Sequence, residues 1–154
     1  MGDISGRGAF THVATYQADL TVADILGTPH AGADYRALPR VIFTDPEIGW
    51  VGLTEAQARD RGIRAGTGTA RVPSTARGWL HKAGNEGLIK LIADLDTGLL
   101  VGATSVGPSG GEVLGALAVA VHGCVPVEEL RHMIYAYPTF HRGIQDALRD
   151  LHEQ

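Results

Sequence analysis

The sequence contains a single cysteine, Cys124, so no internal disulfide can form, and the usage fits a reducing compartment such as the cytoplasm. A residue of this kind after an apolar helix is expected to be a small buried side chain rather than a reactive thiol. Long apolar runs are also missing. None approaches the ~20 residues needed to span a bilayer, and the opening Met1-Gly2-Asp3-Ile4 has no basic-then-apolar signal pattern. Positive charge is scarce as well. With a net charge of -4, nothing attracts polyanions, so nucleic acid and anionic membrane are excluded as default partners. The seven histidines show no Cys/His ligand spacing, so no metal is expected. No glycine fingerprint of the Gly-x-Gly-x-x-Gly kind follows a strand, so neither dinucleotide site can form here.

What is present is globular. The 154 residues suffice for one ordinary domain, and 44% apolar with 19% charged residues excludes disorder. Glycine is abundant at 21 residues, without repeat or low-complexity period. Val22, Ile25 and Leu26 keep helical spacing, and Gly27 is placed to stop that helix. Residues 28–39 have linker composition, predicting a boundary near residue 37.

Beyond the boundary the pattern changes to short β-rich runs, 40–44 and 49–53, around an Asp45-Pro46-Glu47 turn. Thr54 opens a helix with Gln57 completing a capping box, and Gly62 closes it. Strands follow at 65–72 and 87–93. Asp94 to Gly98 forms a hairpin turn, and 99–106 is the returning strand, necessarily antiparallel. A helix over 110–122 carries a second capping signature, Ser109 with Glu112, and Gly123 is placed for its carboxyl cap. Its body is apolar all round, so one face can pack on a sheet while the other needs a second cover. The small residues at 115, 116, 118 and 120 would let another backbone approach. A last amphipathic helix is expected from near Thr139, with Phe140, Ile144, Ala147, Leu148 and Leu151 on one face. The order predicts an α+β fold, an antiparallel sheet with helices packed on it.

Five segments in this order resemble one family. Phe43-Thr44-Asp45-Pro46-Glu47, Val51-Gly52-Leu53-Thr54-Glu55, Gly87-x-x-Lys90-Leu91 followed by Gly98, Gly102-Ala103 with Val106-Gly107-Pro108, and Tyr137-Pro138-Thr139 are similar to the dimerisation domain of pyridine nucleotide-disulfide oxidoreductases. That group includes the dihydrolipoamide dehydrogenases, glutathione reductases and mercuric reductases. Residues 38–154 would then be the interface domain, and 1–37 the tail of an FAD-binding domain with a linker. The resemblance implies a piece of a longer flavoenzyme, inactive alone, carrying no cofactor of its own. FAD and NAD(P) would be held by the flavin and nicotinamide domains of the parent chain. The partner would be a second copy in a homodimer. Gly2-Asp3 is similar to the family's flavin-contacting Gly-Asp pair. Phe10-Thr11-His12-Val13-Ala14 is similar to the segment that presents a helix amino terminus to the flavin, so Asp3, Thr11 and His12 are the cofactor-binding candidates.

In the family a late loop brings a His, oriented by a Glu, to the partner subunit's disulfide and flavin, where the His works as acid and base. Tyr137 stands at the His position and Arg142 at the Glu position. A phenol is a poor base at neutral pH but donates a hydrogen bond. Arg142 in a first helical turn would oppose the helix dipole, and loss of the acid would remove a capping box with Thr139. Tyr137 and the nearby His141 are the catalytic candidates. The alternative to this reading is a free-standing α+β interaction module. Asp3 and the Thr11 segment argue against it, because such a module has no use for flavin-domain residues.

Overall fold

A computed structural model describes residues 1–153. The chain divides into two compact units, Met1–Tyr35 and Arg36–Gln154. In the first, a single 3-10 turn (Gly2–Ser5) precedes α1 (Thr11–Leu26). Gly27, at φ 65, ends α1 as its sequence requires, with the Thr28 N–H returning to the Ala23 carbonyl at 2.9 Å.

The second unit is a six-stranded antiparallel sheet with helices on it, the α+β architecture expected. Its elements are β1 (Arg40–Ile42), β2 (Glu47–Gly52), α2 (Glu55–Asp60), β3 (Ala65–Arg71), α3 (Ala76–His81), β4 (Leu88–Asp94), β5 (Leu99–Gly107), α4 (Gly110–His122), α5 (Val127–His132), α6 (Gly143–Arg149) and β6 (His152–Glu153). The strand order is β1-β2-β5-β4-β3-β6. The β4–β5 hairpin pairs Leu91 with Ala103 across the middle, and Asp94 caps its own turn by accepting from the Asp96 N–H at 2.9 Å.

Alternation along β4 sends Ile89 and Leu91 into the core and turns Lys90 the other way, towards α2. There Lys90 Nζ meets Glu55 Oε2 at 2.5 Å, and Arg59 bonds the same carboxylate. The hydrogen bond from Lys90 leads in holding the Glu55 carboxyl below the ordinary range. The core lies on the opposite side. α4 packs on β2 and β5 and α6 on β3 and β4, burying Leu91, Leu100, Leu114, Leu117, Ile144 and Leu148 almost completely. At about 1.5–3 kcal/mol per fully buried large side chain, this cluster is the main source of stability for the unit.

Several local expectations are corrected. α3, α5 and β6 escape periodicity because six, six and two residues are too short to show it. The last helix begins at Gly143, since residues 139–142 are spent on turns. The first strand stops at Ile42, and the second starts at Glu47 rather than 49. The Thr54–Gln57 capping box is formed on both sides, but the Ser109–Glu112 box is not. Ser109 is left-handed at φ 59, and its side chain caps nothing. The Gly111 N–H instead donates to Glu47 Oε2 at 2.9 Å, a cap supplied from β2. The two glycines make that possible: a Cβ on Gly110 would lie 2.8 Å from the Glu47 carbonyl oxygen. At the other end of α4 the left-handed residue is Cys124, at φ 50, rather than Gly123. The Val125 N–H closes the motif on the Ala120 carbonyl at 2.9 Å. Cys124 is half-buried rather than buried, and its Sγ accepts from Arg36 Nη1 at 2.9 Å.

Candidate functional site

The candidate residues fall into two groups, one in each unit. In the first unit Asp3 sits in the 3-10 turn, exposed, and Thr11 and His12 form the exposed first turn of α1. The His12 ring stacks on Phe10 with centroids 5.1 Å apart. Phe10 occupies the N-cap and supplies no side-chain cap, so the positive end of α1 is left for another acceptor. Gln17 organises this region. Only 7% exposed, it accepts from the Gly2 N–H at 2.7 Å and donates to Ser5 Oγ and the Tyr35 hydroxyl at 2.9 Å each. One side chain therefore ties the Asp3 turn to the helix that carries Thr11 and His12. A glutamine among apolar positions was the available signal, and periodicity alone passes over it.

In the second unit the loop after α5 carries the other candidates. Tyr137 is 69% exposed, and the Tyr137–Pro138 peptide bond is cis, as is Asp45–Pro46. Thr139 holds the turn: its hydroxyl donates to the Ala136 carbonyl at 2.6 Å and accepts from the Arg142 N–H at 3.3 Å. The threonine half of the expected capping box thus survives without its acid. Arg142 is the N-cap of α6 rather than a member of its first turn, and its guanidinium lies 5.1 Å over the Tyr137 ring. Tyr137 and Arg142 are therefore in contact as a cation–π pair. His141 lies elsewhere. It is half-buried, with its ring 6.2 Å from that of Tyr135. The Tyr135 hydroxyl donates to the Leu130 carbonyl at 2.9 Å, and burial pushes its phenol pKa up. No group of three or more His, Cys, Asp or Glu residues is placed to hold a metal among the described residues. Nor is any helix there long and apolar enough to cross a membrane.

The outer face of α4 is the other feature of note. Gly115, Ala116 and Val119 are exposed, Val119 at 71%, while Val113, Leu114, Leu117, Ala120 and Val121 face the core. Ala120, expected among the small residues available to another backbone, is on the inner side.

The sequence pattern of the pyridine nucleotide-disulphide oxidoreductase dimerisation domain matches residues 38–148. The chain belongs to this family. Dihydrolipoyl dehydrogenase 3 of Haloarcula marismortui is 32% identical over 154 residues, which is 100% of this chain and 32% of the relative. A dihydrolipoyl dehydrogenase of Bacillus subtilis is 34% identical over 140 residues, covering 90% of this chain and 29% of the relative. Among solved structures, LpdA from Mycobacterium tuberculosis superposes with a TM-score of 0.87 at 27% identity, covering 96% of this chain and 32% of that one. The HOCl-induced flavoprotein disulfide reductase RclA from Escherichia coli gives 0.86 at 25% identity, covering 97% and 34%. This dimerisation domain and the residues before it span about a third of the length of these relatives.

Proposed function

We propose that this chain is the dimer-forming part of an FAD- and NAD(P)-dependent disulfide oxidoreductase working in the cytoplasm, with residues 1–37 the tail of the flavin domain. It builds the homodimer and presents the Tyr137 loop to the partner subunit's active site. The observation that carries the reading is the outer face of α4. A dimerisation domain of this family has little reason to leave Gly115, Ala116 and Val119 bare unless a second copy covers them. A stable interface there buries at least ~1,000 Å² with an apolar centre. Sedimentation velocity at micromolar concentration is expected to show a dimer, and a clean monomer overturns the assembly role.

The amino-terminal residues fit a flavin. Asp3 is an exposed carboxylate on a turn fixed by Gln17, and the first turn of α1, at Thr11 and His12, offers uncapped helix polarity to a negative group. FAD, when bound, supplies the electron transfer, and NAD(P) supplies the reducing equivalents. Neither has its glycine loop in this sequence. The isolated chain is therefore expected to purify without stoichiometric flavin absorbance and to oxidise no NAD(P)H. The alternative of a free-standing interaction module leaves Asp3, Thr11 and His12 without a use.

At the loop, Tyr137 serves the partner's disulfide as a hydrogen-bond donor rather than as an acid–base residue. In the full-length flavoenzyme, Tyr137→Phe then lowers turnover by on the order of 1 kcal/mol of transition-state stabilisation. An acid–base residue would contribute 10²–10⁴-fold. His141→Ala tests the remaining proton carrier, and steady-state turnover of both variants from pH 6 to 9 separates the roles. A thousandfold collapse in Tyr137→Phe sinks the donor reading. Wild-type behaviour of both makes the loop structural.

A further inference from the structure

Beside the Tyr137 loop lies a groove of about 390 Å³, lined by Pro73, Thr75, Trp79, Leu80 and Tyr137. Its size is within the range of small-molecule sites. One wall is α3, and the way that helix is held is informative. Thr75 is buried, donates its hydroxyl to the Val72 carbonyl at 2.7 Å and accepts the Gly78 N–H at 3.1 Å. Asn85 Nδ2 holds the Gly78 carbonyl at 2.8 Å. Gly78 is pressed so closely on the preceding turn that a Cβ would lie 1.8 Å from the Val72 carbonyl oxygen. The buried side of α3 is thus a glycine, while its largest side chain, Trp79, is 74% exposed. Trp79 contributes little to the core, and the anchored corner displays it.

Two arginines accompany the aromatic rings of this corner. Arg77, on α3, lies 5.3 Å over the Phe140 ring, and Arg142 lies 5.1 Å over that of Tyr137. Neither has a carboxylate within ion-pair distance among the described residues. Two guanidiniums held on ring faces keep their in-plane donors open, and those donors match a carboxylate.

We propose that the groove between α3 and the Tyr137 loop is a binding subsite for a planar carboxylate, the non-reacting anionic end of the small-molecule substrate. Trp79 and Tyr137 hold the flat apolar body, and Arg142, with Arg77, holds the charge. The substrate assignment rests on the loop's role proposed above, whereas the binding itself can be measured on this chain without a flavin.

The probe is 2-naphthoate, with neutral 2-naphthamide as the isosteric control. In a Trp50→Phe background Trp79 is the sole tryptophan and reports by fluorescence quenching. Calorimetry on the otherwise native chain serves if that background fails to fold by circular dichroism. The expected result is saturable binding of naphthoate at least tenfold tighter than naphthamide. Arg142→Gln should weaken it about tenfold, and Trp79→Leu, read by calorimetry in the chain that keeps Trp50 because it removes the reporter, should abolish it. Equal affinity for both probes, no saturation, or indifference to Arg142→Gln overturns the proposal. So does a Trp79 emission that shifts blue with protein concentration alone, since a second copy would then fill the groove. Arginine-dependent binding together with unaffected Tyr137→Phe turnover removes the donor role and leaves the groove. Absent binding with an impaired Tyr137→Phe removes the groove and leaves the donor role.

Discussion

Helices α3 and α4 both turn apolar residues outward, but with opposite shapes. α4 is thirteen residues long and shows a low surface of Gly115, Ala116 and Val119, over a buried face of Leu114, Leu117 and Val121. α3 has six residues, buries a glycine, and raises Trp79 and Leu80 into solvent. A low face admits another backbone at close range, whereas a raised aromatic beside unpaired arginines suits a flat anion. Their anchoring differs in the same sense. Thr75 caps α3 from the adjoining residue, while Glu47 caps α4 from a strand across the sheet. Exposed apolar area by itself therefore does not distinguish an assembly surface from a ligand surface. On the two assignments proposed, side-chain size separates them.

The contrast can be broken most forcefully at α4. Ala116→Arg places like charges across the proposed seam and is expected to raise the dimer dissociation constant at least a hundredfold, ~2.7 kcal/mol. Sedimentation equilibrium reads it, and an unchanged constant would detach this face from assembly. Next comes the anchor of α3. Gly78→Ala drives a methyl into the Val72 carbonyl and should cost about 2 kcal/mol in urea unfolding. If stability is instead preserved, α3 is free to shift, and Trp79 is not held where the groove requires it. The smallest effects compare the caps themselves. Thr75→Val removes a buried donor and the cap together, for about 1–2 kcal/mol. Ser109→Ala, whose side chain caps nothing, should stay within about 0.5 kcal/mol of the parent. Equal costs for the two would mean that Ser109 contributes a cap after all.

Most of the sheet and the long helices were legible because their signals are local. Asp94 to Gly98 demands a hairpin, Thr54 with Gln57 forms its box, and the apolar run of 113–121 could only be a covered helix. Ser109 shows where local signals fail. It has the same spacing to an acidic or amide partner as Thr54, yet Glu47 from the neighbouring strand takes the helix end once Gly110 and Gly111 let the two meet. Of the candidate site, Tyr137 and Arg142 stood out in the sequence as residues near the Pro138 turn. Their mutual contact did not, because it depends on how residues 139–142 turn before α6 starts. Gln17 and Trp79 escape a sequence reading for different reasons: a buried polar clamp runs against the hydropathy pattern that identifies α1, and α3, which carries Trp79, is too short to show one.

By itself the sequence determined the family, the α+β class and the exclusion of an internal disulfide. These follow from composition, from spacings of two to four residues, and from motifs in order, all of which are properties of the chain taken locally. The tertiary structure alone decided that Arg142 lies on Tyr137, that Glu47 caps α4, that Cys124 takes the left-handed position, and that Trp79 and Tyr137 share a groove. Each joins segments distant in sequence or depends on a backbone turn that hydropathy does not encode. Such contacts exist only once the β4–β5 hairpin and the core beneath α4 and α6 have brought those segments together.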